Sequence, residues 1–135
     1  MIKKITLGIS LFFSILMFAS PAYADWENLG ENENGTTFYV DFDRMRKNSD
    51  GYVYFWHLVD RLEPSGTGIL SYQVYNQGDC EMFRFKNLSF SFHKQPMGEG
   101  SGNADSPPNP EWMYPPPKTP LEMLLKEVCE YTENL

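Results

Sequence analysis

Hydrophobic residues follow two rhythms along this chain. Between positions 36 and 94, β-branched and aromatic residues gather in short runs separated by Gly, Asn, Asp and Ser. Near the C-terminus the spacing changes, and Leu121, Leu124, Leu125, Val128 and Cys129 recur at i, i+3, i+4, i+7 and i+8, the repeat of one helical face. Thr119 is placed to cap that helix, Pro120 fits its first position, and Glu122 completes a Thr-x-x-Glu capping box. Lys118, Lys126, Glu127 and Glu130 fall mostly on the opposite side. Cys129 therefore points inward, where the buried stripe ends.

The upstream runs predict strands. "TTFYVDFD" (36–43) follows an Asn-Gly turn signal, and "GYVYFWHLVD" (51–60) follows Asn-Ser-Asp-Gly. These two make a hairpin, with "RMRK" (44–47) read as an irregular or helical turn. "GTGILSYQVYNQ" (66–77) and "CEMFRFKNLSFSFHK" (80–94) supply two more strands, and a weaker one is expected around Trp26. Meander spacing of this kind implies an α+β fold: an antiparallel sheet of about five to six strands, with one C-terminal helix packed on one face.

Side chains alternate faces along a strand. Cys80 then shares a face with Met82, Leu88, Phe90 and Phe92, while Phe83 and Phe85 point the other way unless a bulge near Lys86 and Asn87 resets the register. In 52–59, Tyr52, Tyr54, Trp56 and Leu58 occupy one face and Val53, Phe55 and Val59 the other. A sheet covered on one side only alternates apolar and polar residues. These strands are apolar on both sides, so the second face needs a cover: the loop 95–118, a second copy of the chain, or a foreign partner. That loop is rich in Pro, Gly and Ser, and its middle reads as mobile. Trp112 and Tyr114 are expected to anchor its end, and the prolines 115–117 read as a rigid spacer rather than a polyproline ligand.

The N-terminus sets the compartment. Lys3 and Lys4 precede an apolar run (7–18), and "ASPAYA" offers a small-x-small cleavage site ending at Ala24, the pattern of a signal peptide over 1–24. The alternative is an uncleaved N-terminal anchor. The apolar run is too short to span a bilayer, and no longer run follows it. With no cysteine near the cleavage site there is no lipidation signal, so 25–135 is expected as a single domain, periplasmic or secreted. The chain has a formal net charge of −7, and removing the leader with its two lysines makes it more acidic. That balance argues against nucleic acid as a partner.

Two cysteines in an exported chain are most simply one disulfide, Cys80 with Cys129. A reactive thiol or metal pair is the alternative, but neither cysteine has the electropositive setting that lowers a thiol pKa. If the bond forms, the Cys80 face of the sheet is the one beneath the helix.

No catalytic constellation emerges, and no metal or cofactor is implied. Both histidines, His57 and His93, sit in strand patterns, and no second ligand stands at metal spacing. Asp41 and Asp43 share a strand face but have no evident cleft. "DFDRMR" opens like a calcium loop but has Arg46 where the turn glycine belongs. Ser71 lacks a Gly-x-Ser-x-Gly context, and "GEGSG" lacks the lysine and the strand-to-helix setting of a phosphate loop. Aromatic residues make up 16% of the chain, and Tyr and Trp serve interfaces as well as cores. Tyr52, Tyr54, Trp56, Phe83, Phe85, Trp112 and Tyr114 are therefore the candidate partner-binding residues.

The order of several short stretches resembles the surface-adhesin protein E family of bacterial exported domains: Trp26, "FYVD" (38–41), "VYFWHLVD" (53–60), Ser71, "GDCEMFRF" (78–85), "FSFHKQPMGEG" (90–100), "EWMYPPP" (111–117) and "VC" (128–129). The resemblance implies a six-stranded antiparallel sheet with a C-terminal helix tethered across it by the Cys80–Cys129 bond. It also implies a non-enzymatic protein that adheres to matrix components and can dimerise. Surface members of the family are lipid-anchored, and the expected absence of a lipidation cysteine departs from that pattern. The alternative function is a periplasmic envelope structural or accessory protein with no adhesion role.

Overall fold

The computed structural model describes residues 24–134. The expected leader lies outside them apart from Ala24. Six strands form one sheet in the order of the chain: β1 (Glu27–Glu31), β2 (Thr37–Lys47), β3 (Val53–Asp60), β4 (Ser71–Asp79), β5 (Arg84–His93) and β6 (Gly102–Asp105), followed by α1 (Pro120–Glu133). Every neighbouring pair is antiparallel.

Asx chemistry closes the tight turns. Asn32 Oδ1 accepts from the N–H groups of Asn34 and Thr36 (3.0 and 3.1 Å) before β2. Asp50 Oδ1 accepts from Tyr52 N–H (2.9 Å) between β2 and β3, where Gly51 takes φ 87°. The expected turn over 44–47 is instead the end of β2. A bulge between Asp41 and Arg46 absorbs the extra residues, steadied by Asp41, which accepts from Asp43 N–H (3.1 Å) and Arg44 Nε (2.6 Å). The reversal falls one step later, and Met45 tucks into the core.

The strand expected from Cys80 starts only at Arg84. Residues 80–83 are a turn, in which Asp79 accepts from Met82 N–H (3.1 Å) and Arg84 Nε (2.9 Å) and Phe83 takes φ 52°. A bulge at Leu88 follows, because Tyr75 pairs with Ser89 and Asn76 with Asn87. The two irregularities change parity on β5, so Phe85 and Phe90 both face the helix side.

α1 rests on β1, β2 and β3. Leu124, Leu125 and Val128 meet Val40, Met45, Val53, Phe55 and Phe85 in one buried cluster. Each such side chain contributes about 1.5–3 kcal/mol by leaving water. Thr119 caps the helix as expected, its hydroxyl accepting from Glu122 N–H (3.3 Å). Cys129 is bonded to Cys80 across 49 positions of sequence, with Cα atoms 5.6 Å apart, and Tyr131 stacks on Phe42 (ring centroids 4.6 Å). Gly78 leaves room for this core, since a Cβ there would stand 2.9 Å from Val53 Cγ1 and 3.1 Å from Phe55.

The loop 95–118 is more ordered than its composition implies. Its middle provides β6, which pairs Gly102 with His93 and Asp105 with Phe90 along the free edge of β5. Among the described residues no helix is long and apolar enough to cross a membrane.

Candidate functional site

The sheet face opposite α1 is covered unevenly. At one end the loop after β5 folds back over it. Ser71 Oγ donates to Gln95 O (2.6 Å) and accepts from Gly98 N–H (2.8 Å), while Met97 N–H donates to Asp60 (2.8 Å). Leu58, 0% exposed, is sealed in this region. Ser71 therefore serves as a clamp for the loop.

At the other end, aromatic side chains remain half-buried. Trp56 on β3 pairs directly with Tyr75 on β4, their rings 4.9 Å apart and tilted by 40°. Tyr54 lies 6.1 Å from Tyr75, and Tyr52 is 5.3 Å from Trp112. The segment carrying Trp112 is fixed by two backbone hydrogen bonds between Met113 and Phe85 (2.8 and 3.0 Å). Cations flank the row. Arg44 sits over Trp26 and Trp56 (5.4 and 5.2 Å), and Arg84 and Lys86 sit over Trp112 (4.3 and 4.5 Å), within cation–π range.

Two carboxylates set the electrostatics. Asp41, buried, is ion-paired to Arg44, and Asp79 to Arg84. Burial works against the charge of Asp79, yet the Arg84 guanidinium and the Met82 N–H hold its carboxyl below the usual range. Burial and a hydrogen bond to Asp50 (2.8 Å) push the Tyr54 hydroxyl up to about 12. It stays protonated and acts as a donor.

The sequence-derived candidates divide between the two faces. Tyr52, Tyr54, Trp56 and Trp112 converge on the outer face, and Tyr114, though 60% exposed, lies beside Arg84. Phe83 and Phe85 do not join them. Phe85 is 6% exposed within the helix-side core and Phe83 packs against it, because the 80–83 turn resets the parity counted from Cys80. Tyr75, Arg44, Arg84 and Lys86 complete the row without having been candidates for it, as does Trp26 just before β1. Strand register and the β2 bulge bring the others there, and their own stretches carry no signal of it.

His57 is a core residue. It is buried, and its Nδ1 accepts from Asn76 Nδ2 (2.7 Å), which places the ring proton on Nε2. Burial lowers its pKa to about 4. Among the described residues no group of three or more His, Cys, Asp or Glu could hold a metal ion.

These features define a small domain: an open meander sheet, roofed on one face by a disulfide-tethered helix and bearing an aromatic row on the other. The chain belongs to the surface-adhesin protein E family, whose model matches residues 26–130. Its fold is similar to that of Haemophilus influenzae protein E. One crystal form of that protein aligns with a TM-score of 0.60 at 17% identity, covering 82% of this chain and 91% of the other. Protein E from non-typeable Haemophilus influenzae gives a TM-score of 0.60 at 18% identity, covering 84% and 82%. At such identity the likeness is one of fold. No curated protein matches the sequence.

Proposed function

We propose that residues 25–135 form a single exported, non-enzymatic protein-binding domain, and that its contact surface is the outer-face aromatic row. The observation that carries this reading is that Tyr52, Tyr54, Trp56, Tyr75 and Trp112 stay half-exposed on a rigid sheet, bracketed by Arg44, Arg84 and Lys86. Aromatic and arginine side chains at the centre of a patch are the usual anchors of protein interfaces. Strand-borne rings also lose little entropy when a partner arrives. The family supports an adhesin-like role, and the partner class is an extracellular matrix or envelope protein.

The test is binding of the purified protein to matrix proteins and to envelope extracts, compared with Trp56→Ala and Tyr75→Ala. Loss of binding with thermal melting nearly unchanged supports the surface. Undiminished binding by both variants refutes it. Protease shaving of intact cells separates the two settings: cleavage places the domain at the cell surface, and protection with release by osmotic shock places it in the periplasm. Light scattering that shows a dimer dissociated by the same substitutions would make a second copy the occupant of the row.

A further inference from the structure

The helix-side face carries a second feature, at the end of the sheet that α1 leaves bare. There Tyr72 of β4 and Phe92 of β5 stand directly opposite one another, with rings 5.8 Å apart. Phe90 stacks on Phe92 at 5.6 Å and 5°. All three remain half-exposed. Tyr72 and Phe92 floor an open hollow of about 540 Å³, walled by Ile69, Ser65, Thr67 and Asn103 and rimmed by Arg61 and Lys94. Its volume lies within the range of about 300–1,000 Å³ typical of small-molecule sites.

We propose that this hollow binds a free medium-chain fatty acid, with the tail on the Tyr72 and Phe92 rings and the carboxylate between Arg61 and Lys94. Three observations carry the assignment. The Tyr72 and Phe92 floor and Ile69 give the body of the ligand an apolar surface, with Ser65, Thr67 and Asn103 beside it. The chain is acidic at −7, yet two cations gather at this rim, and the ion pairs found among the described residues are Arg44–Asp41 and Arg84–Asp79. Arg61 engages a backbone carbonyl through Nε alone (Glu63 O, 3.2 Å), leaving donors for the forked recognition of a carboxylate.

The wall is also preorganised. Arg61 N–H donates to Leu70 O (2.8 Å) and Leu70 N–H to His93 O (2.9 Å). Ser65 Oγ bonds Thr67 Oγ1 (3.1 Å) and accepts from Ile69 N–H (3.1 Å). Burial pushes the Tyr72 hydroxyl up while the charge of Arg61 pulls it down, so the guanidinium field reaches the floor.

The experiment is an NMR titration of the isotope-labelled protein with sodium decanoate below its micelle concentration. Saturable shifts are expected at the amides of Ile69, Tyr72, Phe92 and Asn103. Combined Arg61→Gln and Lys94→Gln substitution, both at exposed positions, is expected to weaken binding about tenfold with melting unchanged. Decyltrimethylammonium, with the same tail and the opposite charge, should not saturate. Absence of saturable shifts, shifts confined to the outer face, equal binding of the cationic analogue, or undiminished binding by the double variant would each overturn the assignment.

Discussion

Lowering the pH should unfold this protein through His57. In the folded chain the ring is buried and its pKa falls to about 4, against 6.5 for the free side chain. Its Nδ1 already accepts from Asn76, so a proton placed there would face a donor. Between the two pKa values the unfolded chain takes up a proton that the folded chain refuses. Stability is therefore complete above pH 6.5 and falls as the pH drops through the window to about 4, where it levels off. A difference of this size corresponds to about 3 kcal/mol, a large share of the margin of a domain this small. Asp79, with its lowered pKa, adds a loss in the same direction in more acid solution, whereas Asp43, raised chiefly by its hydrogen bond with Asp25, works against it. Urea unfolding at several pH values, for the wild type and His57→Gln, isolates the histidine because the carboxylates are common to both. The wild type should lose about 3 kcal/mol more than the variant between about pH 7 and pH 4. Parallel pH profiles, or a His57 ring titrating near 6.5 by NMR in the folded protein, would refute the reasoning.

Replacing Cys129 by Ser removes a cross-link spanning 49 positions and is expected to cost about 4 kcal/mol by loop entropy; an unchanged urea midpoint would contradict this. Phe85→Ala opens the helix-side core and should cost about 3–5 kcal/mol, whereas Phe85 would be dispensable to stability if it belonged to the outer face. Chemical denaturation distinguishes the two. Thr119→Ala deletes the cap that accepts from Glu122 N–H and should cost about 1 kcal/mol, read as a lower melting temperature with native helix content retained at room temperature.

The elements of this fold were legible where pattern and chemistry agreed. Thr119, Pro120 and the stripe from Leu121 to Cys129 located α1, and alternation in 52–59 placed Tyr54 and Trp56 opposite Phe55 and His57. What escaped were the irregularities, which depend on pairing rather than on local sequence. Asp41 looks like any strand acid until its carboxylate is seen holding a bulge. Asp79 and Phe83 convert what reads as a strand into a turn, and that change carries Phe85 to the other face. Gly102 to Asp105 has almost no strand propensity and becomes β6 because β5 offers it an unpaired edge. Tyr75 joined the aromatic row through register, which one sequence does not encode at a single position.

The strand order has a consequence for how the chain reaches this structure. Each strand pairs with its neighbour in sequence, so the whole sheet is assembled from short-range encounters, the kind that make for fast folding. α1 is different: it is the last element and docks on β1, β2 and β3, the first three. Its contacts close the longest loops in the molecule and carry the greatest entropic penalty. A chain emerging from its N-terminus can lay down hairpins one after another, while the apolar face awaiting the helix stays wet until the final residues arrive. Truncation that removes α1 would thus strip the main core of its cover and the sheet of its disulfide, leaving an apolar chain prone to aggregate.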